Sequence, residues 1–214
     1  MKKRSPSIAL VIMAVLLSYS SHAQTTFAIG PRLGLNFGSC SLDPDVTGGG
    51  ATKGGRTGII FGADFEVGFE NMFYVAIEPT YAQKGFTISG QGGKETYGFN
   101  YLDLPVYFRV KFLHGKIRPY GFLGPNLGIL LSATKTTELT GQAASDQDWK
   151  DVIGSDFTLD FGGGAEYLVA SKISVTGDVR YMLGLKSVYS NPNQTNVSIK
   201  TGGFVIMFGA MFHL

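Results

Sequence analysis

From Phe27 to Phe37 the odd positions read Phe27, Ile29, Pro31, Leu33, Leu35 and Phe37, and the even ones Ala28, Gly30, Arg32, Gly34 and Asn36. A repeat of two sends these sets to opposite faces of a β-strand. One face is continuous and apolar; the other is small or charged. The alternation returns along the chain until eight such stretches are counted. The second runs from about Thr57 to Glu70, with Ile59, Phe61, Ala63, Phe65, Val67 and Phe69 against Gly62, Asp64, Glu66 and Gly68. After a tight Asn71-Met72 turn, Phe73, Val75, Ile77, Pro79 and Tyr81 oppose Ala76, Glu78, Thr80 and Ala82. The fourth sets Leu102, Leu104, Val106, Phe108, Val110 and Phe112 against Asp103, Tyr107, Arg109 and Lys111. Past a His114-Gly115-Lys116 turn, Leu123, Leu127, Ile129 and Leu131 oppose Tyr120, Gly124, Asn126 and Gly128. The sixth pairs Phe157, Leu159, Phe161, Ala165 and Tyr167 with Thr158, Asp160, Gly162, Gly164 and Glu166. The seventh pairs Ile173, Val175, Val179, Tyr181, Leu183 and Leu185 with Thr176, Asp178, Arg180 and Gly184. The last stripe, Phe204, Ile206, Phe208, Ala210, Phe212 and Leu214, reaches the final residue, as expected of a strand that closes a sheet on itself.

Each stretch is long enough to cross a bilayer as a tilted strand, which takes about 9–11 residues. Gaps near 71–72, 113–116 and 168–172 are short; those near 39–56, 85–96, 132–156 and 187–199 are longer and rich in Gly, Ser, Thr, Asn and Asp. Short periplasmic turns alternating with long external loops are the pattern of outer-membrane barrels. The expectation is an all-β protein, an eight-stranded antiparallel up-and-down transmembrane β-barrel in the cell outer membrane. An even strand number places both ends of the barrel on the short-turn side. Pro31, Pro79 and Pro105 each remove a ladder donor, which predicts bulges or strand ends there.

A soluble lipocalin-like barrel would show the same period with its apolar face inside. The charges decide between the two. The less apolar face carries Arg32, Asp64, Glu66, Glu78, Asp103, Arg109, Lys111, Arg118, Asp160, Glu166, Asp178 and Arg180, many of them mid-strand and beside glycines. Glycine next to a charge is poor surface for a soluble sheet but leaves room for long side chains in a narrow lumen. Lipid outside and a charged interior is therefore the reading. These seven acids and five bases are expected to pair, because an isolated charge in a confined interior is costly. Lys84, Lys186 and Lys200 stand near the rims. Eight strands enclose a space just wide enough for side chains to fill, so a salt-bridged plug is expected, with a small conducting pore as the alternative.

The N-terminus sets the compartment. Lys2, Lys3 and Arg4 precede an apolar run from Ile8 to Leu17, and Ser21-His22-Ala23 fits a small-x-small cleavage site. Residues 1–23 are expected to be a cleaved signal peptide and residues 24–214 the barrel domain. The run is too short for a spanning helix of about twenty residues. Losing three signal cations takes the formal net charge from +2 to −1, and no basic cluster remains, which argues against nucleic-acid binding. The 30 glycines and 13% aromatic residues suit thin twisted strands with interfacial rings. Cys40 is the only cysteine, so no intrachain disulfide forms, and it lies far beyond a lipoprotein junction. It reads as a buried or loop thiol.

Several short motifs in order resemble a known family. Tyr101-Leu102-Asp103-Leu104-Pro105-Val106 looks like the "YLEIP" strand of the PorT-like outer-membrane barrels of Bacteroidetes. Arg118-Pro119-Tyr120 with Gly124-Pro125-Asn126-Leu127-Gly128 resembles the next strand's "PY…GP…G" pattern. Asp160 through Gly164-Ala165-Glu166-Tyr167 is similar to "GxGxEY", and Asp178-Val179-Arg180-Tyr181 with Gly184-Leu185 to "xxRYxxGL". The likeness covers nearly the whole mature chain. It departs at the end, where such barrels often finish on an aromatic and this chain finishes Phe212-His213-Leu214. The resemblance implies a barrel, and through one member a link to protein secretion; it brings no catalytic motif.

The remaining candidates for chemistry read as structure. Gly50-Ala51-Thr52-Lys53-Gly54-Gly55-Arg56-Thr57 is one substitution from a phosphate-binding loop, but an alternating strand follows it where a helix is needed, so it reads as a flexible external loop. His22 leaves with the signal, His114 sits in a short turn and His213 at the extreme end, so no loop histidine offers a base for an envelope-lipid enzyme. Asp146, Asp148 and Asp151 lack the glycine and terminal glutamate of a calcium loop. Trp149, the only tryptophan, is a possible loop contact. The expectation is a non-enzymatic barrel without catalytic, cofactor or metal residues. Its expected partners are outer-membrane lipid, the barrel insertion machinery and other envelope or secretion proteins, with no nucleic acid among them.

Overall fold

The structure is a computed structural model that describes residues 25–45, 50–69, 72–113, 115–190 and 197–214. The expected signal segment, Asn71 and His114 lie outside these residues. Among the described residues ten antiparallel strands form one sheet: β1 (Thr26–Asp43), β2 (Thr52–Phe69), β3 (Phe73–Ile77), β4 (Thr80–Gly90), β5 (Gly93–Lys111), β6 (Ile117–Leu139), β7 (Ser145–Asp148), β8 (Asp156–Ala170), β9 (Ile173–Gly184) and β10 (Ser198–His213). β3 and β4 are two halves of a single stave, since both pair with β2 on one side and β5 on the other. β7 pairs only with the far end of β6. The other pairings run β5–β6–β8–β9–β10–β1–β2, so eight staves close into a ring. The closing contact is the β1–β10 ladder, from Ala28 opposite His213 to Asp43 opposite Ser198.

Alternation decides which way each residue faces. Leu33 is 60% exposed and Phe208 64%, whereas Arg32 is 2% and Asp64 0%. The apolar face is outside and the charged face inside, which removes the lipocalin-like alternative. Among the described residues no helix is long and apolar enough to cross a membrane; the strands do the crossing. Aromatic pairs decorate the outer wall, Phe61 with Tyr81 at 5.2 Å and Tyr181 with Phe204 at 5.0 Å between ring centroids.

The prolines sit where the ladder is interrupted. Pro79 follows Glu78 in the break between β3 and β4, and Pro105 lies opposite that break. Each still serves as an acceptor: Pro79 O takes Ala63 N at 3.1 Å, and Pro105 O takes Glu78 N at 3.2 Å. Pro31 keeps its register with Ala63 while the β1–β10 ladder skips it.

The strands run further than the expected loops allow. The long loop expected near 85–96 is instead the top of the β4–β5 hairpin, turning at residues 91–92. Thr52–Thr57, expected in a flexible loop, belongs to β2, with Gly54 and Gly55 opposite Thr87 and Phe86. Pairing continues because Phe86, Tyr97 and Phe99 still alternate inward and find apolar neighbours there. Past the outer end of β6, β7 folds back on it, followed by a short 3₁₀ turn at Lys150–Val152.

Candidate functional site in the lumen

The inward positions of neighbouring staves bring the charges together along the barrel axis. Followed from one ion pair to the next, acids and bases alternate in a single chain: Glu166, Lys111, Glu66, Arg109, Glu78, Arg180, Asp178 and Arg32. Lys111 Nζ lies 2.6 Å from both Glu166 and Glu66. Arg109 donates to Glu66, to Asp64 at 3.1 Å and to Glu78 at 2.7 Å. Arg180 reaches the other oxygen of Glu78 at 2.9 Å and Asp178 at 2.8 Å, and Arg32 pairs with Asp178 and bonds Thr176. The links join staves that are not neighbours in the sheet: β8 to β5, β5 to β2, and β9 to β1. Aromatic faces pack against the guanidinium groups, Tyr120 at 5.0 Å from Arg109 and Tyr107 at 5.1 Å from Arg180.

A second group continues from the first. Tyr107 OH donates to Asp160 at 2.9 Å, and Asn126 Nδ2 bridges Asp160 and Asp103, 3.2 Å from each. Lys84 Nζ stands 2.9 Å from both Asp103 and Asp156, and Thr201 donates to Asp156 at 2.7 Å. Lys84 also lies 5.1 Å from the centroid of Tyr101, where an apolar cluster takes over the lumen.

Of the residues expected in the lumen, Arg32, Asp64, Glu66, Glu78, Asp103, Arg109, Lys111, Asp160, Glu166, Asp178 and Arg180 are all buried there. Arg118 is not among them: it sits half-buried at the short-turn end, and its Nε donates to Gly115 O at 3.3 Å. Lys84, expected near a rim, is deep inside, and Asp156 was not anticipated because it falls in a stretch expected to be loop. Parity was the available signal for both. Lys84 continues the inward series Thr80 and Ala82, and Asp156 the series Thr158 and Asp160. Lys186 and Lys200 stay exposed, Lys186 bonding Ser155 Oγ at 2.9 Å.

One cluster has the composition of a hydrolytic triad. His213 Nε2 lies 2.9 Å from Ser174 Oγ and 2.9 Å from Glu166 Oε1, and Ser174 donates to the same Glu166 oxygen at 2.6 Å. A triad needs the hydroxyl on one imidazole nitrogen and the carboxylate on the other. Here one nitrogen faces both, and the serine hydroxyl donates its hydrogen bond to the carboxylate directly, so the cluster ties β8, β9 and β10 together. Asp146 accepts from Thr136 and Asp148 from Lys150 N. Among the described residues no group of three metal-ligating side chains forms. Trp149, expected as a loop contact, is half-buried in the outer mouth, 4.8 Å from Tyr97 and 6.3 Å from Tyr189 between centroids.

A closed antiparallel ring with an apolar exterior and an ion-paired interior defines a small transmembrane β-barrel of the outer-membrane kind. Residues 22–190 match the family described as the outer membrane protein beta-barrel domain, and this chain belongs to that family; the outer membrane is its location. Among solved structures it is similar to the outer membrane protein OprG from Pseudomonas aeruginosa, at 18% identity over 90% of this chain and 97% of that one, with a TM-score of 0.57. The N-terminal β-barrel domain of Pseudomonas aeruginosa OprF follows at 12% identity, 90% and 100% coverage, and 0.46. Ail, the attachment invasion locus protein of Yersinia pestis, gives 14% identity, 88% and 99% coverage, and 0.44. The likeness to OprG is one of fold. No curated protein sequence matches the chain.

Proposed function

We propose that this protein is a non-enzymatic scaffold of the outer membrane whose lumen is sealed and whose working surface is its outer extension. The alternating line from Glu166 to Arg32 carries this reading, because every cation in it is held by at least one carboxylate from a stave that is not its neighbour in the sheet. An ion entering would have to break pairs that water cannot easily replace in so narrow a space. Side chains fill the axis and the backbone ring keeps lipid out, so the barrel offers a rigid base for the hairpin β4–β5 and the β6–β7 segment. The test is conductance of the purified full-length barrel in a planar bilayer. The expected trace stays at the level of the bare membrane, and steady large single-channel steps would make the protein a porin.

A second reading is an accessory to secretion or transport, in the manner of PorT-like barrels of Bacteroidetes. Its support is the ordered set of motifs from Tyr101 to Leu185 and the extent of paired backbone beyond the lipid-facing band. In that reading the outer extension or the rim docks another envelope or secretion protein, while outer-membrane lipid and the insertion machinery are partners in either case. Crosslinking in native outer membrane followed by purification separates the two. A stoichiometric protein partner selects the accessory, and recovery of the barrel alone selects the scaffold.

A further inference from the structure

Beyond Lys84 the lumen changes character. Phe86, Tyr97, Phe99, Tyr101, Ile153, Val188 and Ile199 form a buried apolar cluster contributed by the outer ends of several staves and by the segment after β7. Above it opens a cavity of about 170 Å³. Its walls include Phe86, Tyr97, Trp149 and Tyr189, with Ile88 and Val197 at the sides, and among the described residues no charged side chain lines it. We infer that this cavity is a binding site for an uncharged aromatic molecule of one or two rings.

Three features select that chemistry. The first is an apolar lining. The cavity opens to solvent on one side and its walls offer water few hydrogen-bond partners, so an apolar guest that covers them removes that surface from water. The Tyr97 hydroxyl is already committed to Glu95 at 2.7 Å, so Tyr97 offers the cavity its ring. The second is wall geometry. Tyr97 and Trp149 meet at 62° and Trp149 and Tyr189 at 46°, so faces and edges both point at a guest, as aromatic contacts prefer. The third is preorganisation. Lys135 Nζ sits 5.4 Å from the Tyr97 centroid and 5.6 Å from that of Trp149, and Glu95 holds it at 2.7 Å. Phe86 stacks on Tyr97 at 4.6 Å and floors the space, so a guest is retained at the mouth whatever the conductance of the lumen below.

Trp149 is the sole tryptophan and therefore reports on this site alone. Full-length protein in lipid nanodiscs is titrated with nitrobenzene, a quencher. Saturable quenching is expected, relieved by toluene and not by heptane. Val197→Phe and Ile88→Phe, which push a ring into the space, should weaken nitrobenzene binding about tenfold or more. A heat-dependent shift on a gel shows that each variant is folded. If neither variant folds, the wild-type curve and the two competitors decide by themselves. Quenching that rises linearly without saturation, or that persists unchanged in folded variants, overturns the proposal. Relief by heptane as effective as that by toluene also overturns it and makes the cavity an acyl-chain pocket.

Discussion

Arg109 and Glu78 meet in the middle of the lumen, Nη2 to Oε1 at 2.7 Å, and Arg180 holds the other oxygen of the same carboxylate at 2.9 Å. Glu78 stands in the break between β3 and β4, so one side chain there ties β5 to β9 through two guanidinium groups. The ring is held by its backbone ladder; these crossings fix its cross-section.

Arg109 touches three carboxylates, and removing it leaves Glu66 with Lys111, Glu78 with Arg180, and Asp64 with no ion-pair partner among the described residues. Breaking a buried pair by deleting one partner costs about 3–5 kcal/mol, and lumenal water resolvates part of that. Arg109→Ala should therefore lose about 3 kcal/mol in a urea unfolding titration in lipid, with conductance still small. Arg109→Lys, a single point charge without the planar fork, should recover part of the loss. An unchanged midpoint in Arg109→Ala would show that the pairing does not hold the barrel together.

Most of this was legible because a period of two is rigid: once Leu33 faces lipid, Arg32 and Asn36 must face the lumen. Strand ends were the weak part. Lipid-facing residues stop being apolar where the bilayer stops, so Thr87, Thr96 and Ser132 read as loop although their backbone pairing continues. What marks the extension is the inward face, where Phe86, Tyr97 and Phe99 keep the period. The same switch hid Asp156. Arg118 failed for another reason: its parity is correct, but it stands at the short-turn end and folds back onto Gly115 O instead of pointing along the axis.

Two glycines are required by close approach of neighbouring staves beside prolines. A Cβ on Gly30 would fall 1.7 Å from Ala210 O, and one on Gly124 would fall 1.9 Å from Val106 O. Both obstacles are backbone, so no side-chain rotation relieves them. Gly124→Ala and Gly30→Ala should each sharply lower the yield of heat-modifiable barrel. Gly92→Ala, where a Cβ meets nothing within 4 Å, should leave it unchanged. Equal yields for all three would show that the staves yield more easily than their spacing suggests.

Topology can be read with an impermeant thiol reagent, because the native thiol is silent. Cys40 lies in the apolar cluster of the outer extension, between outward-facing Ser39 and Ser41, and burial pushes its thiol up to about 12. On intact cells Gly92→Cys and Ala143→Cys should label, and Gly115→Cys should not. Labelling of Gly115→Cys alone would turn the barrel over in the membrane.

The outer mouth should respond to acid at an unusual pH. Glu95 lies beyond the lipid-facing part of β5, inside the extension. Partial burial pushes its carboxyl up, but hydrogen bonds from Lys135 and Tyr97 and the charge of Lys135 outweigh that and hold it below the ordinary value. A carboxylate whose folded value is depressed contributes stability that is present above its unfolded value, about 4.3, and is lost as pH falls through the folded one. Trp149 senses the pair because Lys135 stands over its ring. Its emission should therefore stay level from pH 8 to about 5 and change only below the ordinary carboxylate range, as Glu95 protonates and releases Lys135. Glu95→Gln should abolish that change and leave the folded barrel intact. A midpoint at or above the ordinary glutamate value in the wild type would mean that Lys135 does not hold Glu95 in solution, and the ordered wall of the mouth would have to be credited to ring packing alone.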